Sequence, residues 1–126
     1  MILLDTDAMV DLLRDHPPAL AWLASNTEEI GLPGYVVMEL IQGCKNKAEQ
    51  EKVERTLSAY AIAWASPQVC DEALAVFARS YLSHNIGILD ALIGQLAAST
   101  NTVLYTFNQQ HYAAIPNLKT VQPYER

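Results

Sequence analysis

The sequence predicts a three-layer α/β/α sandwich with a mostly parallel central sheet, and three observations lead there. Short apolar runs alternate with amphipathic helical segments along the whole chain, the pattern of parallel strands joined by helices packed on both faces. The first run, Ile2-Leu3-Leu4, has no polar residue to turn towards water, as in a strand buried on both sides. At 126 residues, with 51% hydrophobic and 17% charged residues, the chain suits one core and one domain, 1–126. A domain of that size buries roughly two thirds of its unfolded surface.

The elements follow in order. After the opening strand, Asp7 reads as the N-cap of a helix over about residues 8–14. Pro17 and Pro18 start a second helix that runs to Asn26, with Leu20, Trp22 and Leu23 as its apolar surface. EEIGLP is a short strand, and a helix from Gly34 to Gln42 is closed by Gly43. Residues 46–60 form the most polar helix, with Lys47, Glu49, Glu51, Lys52, Glu54 and Arg55 interleaved around Val53, Leu57 and Tyr60. A strand over Ala61–Ala65 and an amphipathic helix over Val69–Tyr81 come next. ILDALIGQLAAST is a buried helix, TVLYT an apolar strand and KTVQP an edge strand.

Composition narrows the class. Cys44 and Cys70 lack a zinc-cage or disulfide-framework spacing and read as reduced core thiols. There is no leader-like segment and no apolar run approaching the roughly 18 residues of a membrane span, so a soluble, cytoplasmic protein without a membrane partner is expected. A net charge of −6 opposes phosphate binding, which ordinarily draws on surplus lysine and arginine.

Several carboxylates sit where a core should be. Ligands of open parallel sheets bind beyond the carboxyl ends of strands, which is where Asp5 stands, and where Thr106 and Asn108 follow TVLYT. In YVVMELIQG, Val36, Glu39, Leu40 and Gly43 share one helical face, so Glu39 interrupts an apolar stripe. Asp90 is the only charge between Ile86 and Ala98, with Ile93, Gly94 and Ala97 on its face. Burying an ionised carboxylate costs several kcal/mol unless it is paired or bound to a cation. Four of the eight Lys and Arg residues lie in the 45–55 segment, which leaves a metal ion as the economical partner for Asp5, Glu39 and Asp90. Three converging acids would repel by about 4 kcal/mol per pair at 4 Å. Hard, oxygen-seeking Mg²⁺ or Mn²⁺ turns that repulsion into binding energy.

The ordered set LLDTD, MELIQG, ILDALIGQLA and TFNQQHY resembles the PIN-domain ribonucleases, particularly the toxin subunits of VapBC-type toxin–antitoxin pairs. The resemblance covers nearly the whole chain. It implies a Mg²⁺-dependent endoribonuclease with Asp5, Glu39 and Asp90 as the acidic metal site, an RNA substrate, a small antitoxin protein as partner, and a homodimer. Family members commonly carry T-x-N-x-x-D/E, in which Thr and Asn line the site and the acid is a fourth ligand. Here Thr106 and Asn108 match, and His111 stands in place of the acid. One metal is thus supported better than two. Asp5 is the expected central ligand, Asp90 shares its ion, Glu39 holds it directly or through water, and Asn108 positions the attacking water. His111 is a weak ligand or a leaving-group acid. Metal loading would also remove part of the −6 that opposes an RNA phosphate.

Blander readings stand beside these. Asp7 is first a cap and only second a metal ligand. Asp90 equally suits a first-turn acid complementing a helix dipole. Residues 45–55 read as a solvated helix before an RNA patch, and the tyrosines as core or partner-surface residues, with no assignment for Tyr124. A strand ending in D-x-D is also shared with haloacid-dehalogenase phosphatases, but their later lysine and downstream acidic pair are not evident. A non-catalytic PIN-shaped module that binds RNA or antitoxin is the other alternative.

Overall fold

The computed structural model describes residues 1–126. Five parallel strands form the central sheet: β1 (Ile2–Leu4), β2 (Ile30–Pro33), β3 (Ala61–Ala63), β4 (Val103–Tyr105) and β5 (Thr120–Val121), in the order β3-β2-β1-β4-β5. Six helices connect them: α1 (Thr6–Leu13), α2 (Pro17–Ser25), α3 (Gly34–Gln42), α4 (Lys47–Leu57), α5 (Pro67–His84) and α6 (Ile88–Ser99). The result is the expected three-layer sandwich.

Strand order positions the site. From β1 the chain steps outward to β2 and β3, then α5 and α6 carry it back to the other side of β1, where β4 pairs. The order therefore reverses between β1 and β4, and a crevice opens beyond their carboxyl ends. Leu4 lies opposite Tyr105, and Asp5 N–H donates to the Tyr105 carbonyl at 3.0 Å, so the next pair outward is Asp5 and Thr106. The all-apolar opening follows from this central place: Leu3 and Leu4 are fully buried.

Local chemistry sets the helix boundaries. Asn46 caps α4 by accepting the Glu49 N–H at 2.8 Å, and Ser66 caps α5 before Pro67, so α5 begins earlier than the apolar pattern suggested. It also runs further than Tyr81, ending on His84, with Asn85 left-handed at φ 52° as its stop. The first helix corrects the expected cap. It starts at Thr6, and its N-cap is Asp5, extended at φ −78°, ψ 166°, whose Oδ1 accepts the Thr6 N–H at 2.8 Å. Asp7 is already one residue inside the helix. The two edge strands are shorter than the predicted stretches, Ala61–Ala65 and KTVQP, and Cys44 and Cys70 are free and half-buried rather than core thiols.

Candidate active site

Asp5 is the centre of the crevice. As the cap of α1 directly after β1, it is held from both sides: Oδ1 by Thr6 N–H, and Oδ2 by the Thr106 hydroxyl at 2.9 Å and the Tyr112 hydroxyl at 2.7 Å. Asp5 and Thr106 are buried, and so is Tyr112, in the 3-10 turn Gln109–Tyr112. Burial, then the Asp5 charge and hydrogen bond, push the Tyr112 phenol far above its ordinary range, so it remains a proton donor to Asp5 at any working pH. The turn is seated by a glycine. A Cβ at Gly94 would run into Ile115 and the Tyr112 ring, so only a glycine lets α6 come this close.

Asp7 is satisfied by the loop after β4. Its Oδ1 takes the Ala8 N–H at 2.7 Å, and its Oδ2 takes the Phe107 N–H at 2.9 Å, the Asn108 side-chain amide at 3.1 Å and the Thr106 hydroxyl at 3.3 Å. Burial and the Asp5 charge nevertheless outweigh these donors and raise the Asp7 carboxyl. Asn108 is thereby a partner of Asp7.

Glu39 and Asp90 face the crevice with few donors. Glu39, mid-way along α3, accepts one hydrogen bond, from the Thr6 hydroxyl at 2.9 Å. Asp90, in the first turn of α6, has the His111 Nδ1 3.9 Å from its Oδ2. Burial, then the Asp5 charge, raise its carboxyl, with Glu39 adding to the rise; His111 and the nearby Tyr112 hydroxyl, whose hydrogen bond goes to Asp5, oppose it. His111 is itself well exposed, at 62% of its side chain.

The structure therefore brings Asp5, Asp7, Glu39, Asp90, Thr106, Asn108 and His111 to one sheet edge. Thr6 and Tyr112 belong there too, and pattern reading passed over both. The threonine between the two acids of LLDTD was the visible sign for Thr6. Tyr112 had only its place beside His111.

No three His, Cys, Asp or Glu side chains are gathered tightly enough to make a ready-formed metal cage. The donor chemistry fits a hard divalent cation all the same. Apart from His111, every candidate ligand is a carboxylate oxygen, and no lysine or arginine pairs with any of the four acids, since the ion pairs of the chain are His111 with Asp90 and Arg126 with Asp11. A carboxylate offers about four acceptor positions, so Asp90 and Glu39 keep most of theirs free.

A family model described as "PIN domain" matches residues 2–116. The chain belongs to the PIN domain family. Solved PIN-like neighbours agree on the fold. A chain of a toxin–antitoxin complex from Klebsiella pneumoniae is 24% identical with a TM-score of 0.80, the match covering 100% of both chains. A chain of the VapBC2 complex from Rickettsia felis, bound to a DNA fragment from its promoter, is 29% identical with a TM-score of 0.74, covering 96% of this chain and 98% of that one. A chain of VapBC-1 from nontypeable Haemophilus influenzae is 22% identical with a TM-score of 0.78, covering 98% of each. Among curated proteins no sequence match is significant. No helix of this PIN domain is long and apolar enough to cross a membrane.

Proposed function

We propose that this PIN domain is a metal-dependent endoribonuclease that hydrolyses RNA phosphodiester bonds, and that it is the toxin of a toxin–antitoxin pair, silenced by a small antitoxin protein and assembled as a homodimer. The observation that carries the nuclease reading is the cation-free set of acids at the switch point. There the charges of Asp5 and Glu39 both act on the half-buried Asp90. The pairing with an antitoxin draws on the neighbours, which are chains of toxin–antitoxin complexes.

Asp5, Glu39 and Asp90 would hold Mg²⁺ or Mn²⁺. When bound, such an ion neutralises charge on the phosphate and lowers the pKa of a water. The chain's own residues do the rest. Tyr112 and Thr106 fix the Asp5 carboxylate so that it need not reorganise during the reaction. The Thr6 hydroxyl holds Glu39 at one oxygen and leaves the other open to the crevice. Asn108, tied to Asp7 through its amide nitrogen, keeps its carbonyl oxygen for a water or a ribose hydroxyl. His111, exposed and beside Asp90, is placed to give a proton to the leaving oxygen.

Incubating the purified protein with a mixed small-RNA pool in Mg²⁺, Mn²⁺ or EDTA, beside Asp5→Asn, tests this. Metal-dependent cutting that the variant loses is expected. No cutting by the wild type with either metal, after removal of any co-purified antitoxin, would favour a non-catalytic binding module, the reading that His111 at the fourth-acid position supports.

A further inference from the structure

Asp7 and Asp11 lie four residues apart on α1 and so face the same way, yet they hold different parts of the chain. Asp7 holds the backbone of Phe107 and the side chain of Asn108. Asp11 holds Tyr124 and Arg126: its Oδ2 accepts the Tyr124 hydroxyl at 2.8 Å and the Arg126 Nε–H at 3.0 Å, and its Oδ1 accepts Arg126 Nη2 at 3.2 Å. Those two side chains then close on the residue that Asp7 holds. The Tyr124 ring meets Phe107 edge-on with centroids 4.9 Å apart, and the Arg126 guanidinium carbon lies 4.4 Å from the Phe107 ring centre. Phe107 is thus fixed through its backbone by one acid of α1 and through its ring by residues fixed to the next acid on the same face.

We propose that Asp11, Tyr124 and Arg126 form a clamp that positions the Thr106–Asn108 loop over the carboxylate edge. They act as positioning residues for the nuclease reading given above, on which this part of the inference rests. The clamp is more than a surface ion pair. An exposed pair alone contributes little, whereas here a bidentate Arg–carboxylate contact, a tyrosine hydroxyl and a cation–π contact share one acid and one ring. The geometry also explains why the loop matters: Thr106 touches both Asp5 and Asp7, and the turn bearing His111 and Tyr112 starts immediately after Asn108. Freeing Phe107 loosens Thr106, Asn108, His111 and Tyr112 together.

Amide hydrogen exchange by NMR on the full chain, with RNA cleavage kinetics on the same samples, tests the clamp. Arg126→Ala is expected to speed exchange of the Phe107 amide about tenfold while amides of β1 and α6 keep their protection. Tyr124→Phe, which keeps the ring on Phe107, gives a smaller rise in the same place. In cleavage, Arg126→Ala lowers kcat about three- to tenfold with KM changed less than twofold, and Arg126→Lys does not rescue it, because lysine lacks the planar fork. Unchanged Phe107 exchange overturns the clamp. So does uniformly faster exchange across the fold, which would make the contacts merely stabilising. Rescue by lysine with a shift in KM would make Arg126 a contact to RNA phosphate and also overturn it. The exchange result stands without any activity, so a wild type that cuts no RNA defeats the nuclease reading and leaves the structural clamp decided by exchange.

Discussion

Two halves of the crevice differ in how their acids are satisfied. On the side where β1 meets β4, Asp5 and Asp7 are surrounded by donors: backbone N–H groups of Thr6, Ala8 and Phe107, the hydroxyls of Thr106 and Tyr112, and the Asn108 amide. On the side of α3 and α6, Glu39 has one hydroxyl, and Asp90 has an exposed imidazole at 3.9 Å and a share of the Tyr112 hydroxyl that is bonded to Asp5. Acids saturated with donors are built to stay still, whereas acids left with open acceptor positions are built to take something else. Asp5 belongs to the first group in geometry and to the second in charge, because its field raises both Asp7 and Asp90. It is the hinge of the comparison.

The largest expected effect comes from breaking that hinge. Asp5→Asn keeps the shape of the cap but removes one of the four carboxylates of the site, the one whose charge acts on Asp7 and Asp90, and RNA cleavage should fall by about 10³-fold or more in a single-turnover assay. Next is the donor that fixes Asp5. Tyr112→Phe removes a buried hydroxyl whose loss leaves an acceptor less satisfied, at about 1–3 kcal/mol, and should lower kcat about ten- to a hundredfold with the melting temperature reduced by several degrees. Gly94→Ala pushes a methyl into Ile115 and Tyr112, an overpacking cost of about 1–3 kcal/mol visible in denaturant unfolding.

The Asp90 carboxyl carries a pH-linked stability prediction, whose sign the also-raised Asp7 shares. Burial and the Asp5 charge raise the Asp90 carboxyl, so its stabilising contribution is complete below about pH 4 and is lost as pH rises through the raised value. At neutral pH the metal-free protein carries the cost of an ionised, poorly partnered acid. Asp90→Asn should therefore raise the melting temperature of the EDTA-treated protein at pH 7.5 by about 2–5 °C while removing activity. A fall in melting temperature would mean that the ionised Asp90 carboxylate is held favourably by its neighbours even without metal, against this account.

Much of this is legible in the sequence. Ile2-Leu3-Leu4 reads as a central strand because nothing in it can face water; Asp5 stands out as the acid at that strand's end, and Glu39 and Asp90 because each interrupts an apolar helical stretch. Asp7 was misplaced as the cap because Asp5 and Asp7 are equally good capping residues two positions apart, and only the strand's end decides between them. Tyr112 was invisible because its partner is 107 positions away and a tyrosine in a polar stretch has no periodic signature. The same holds for Tyr124 and Arg126, whose meaning lies in Asp11 and Phe107. Long-range hydrogen bonds leave no trace in local pattern.

The most direct test of the contrast between the halves is calorimetric titration of Mn²⁺ into the metal-free wild type, Asp90→Asn and Asp7→Asn at pH 7.5. The wild type should bind Mn²⁺, Asp90→Asn should bind it about tenfold more weakly or not at all, and Asp7→Asn should stay within about threefold of the wild type. Equal losses in the two variants, or a larger loss in Asp7→Asn, would contradict the assignment of the cation to Asp5, Glu39 and Asp90 rather than to Asp7.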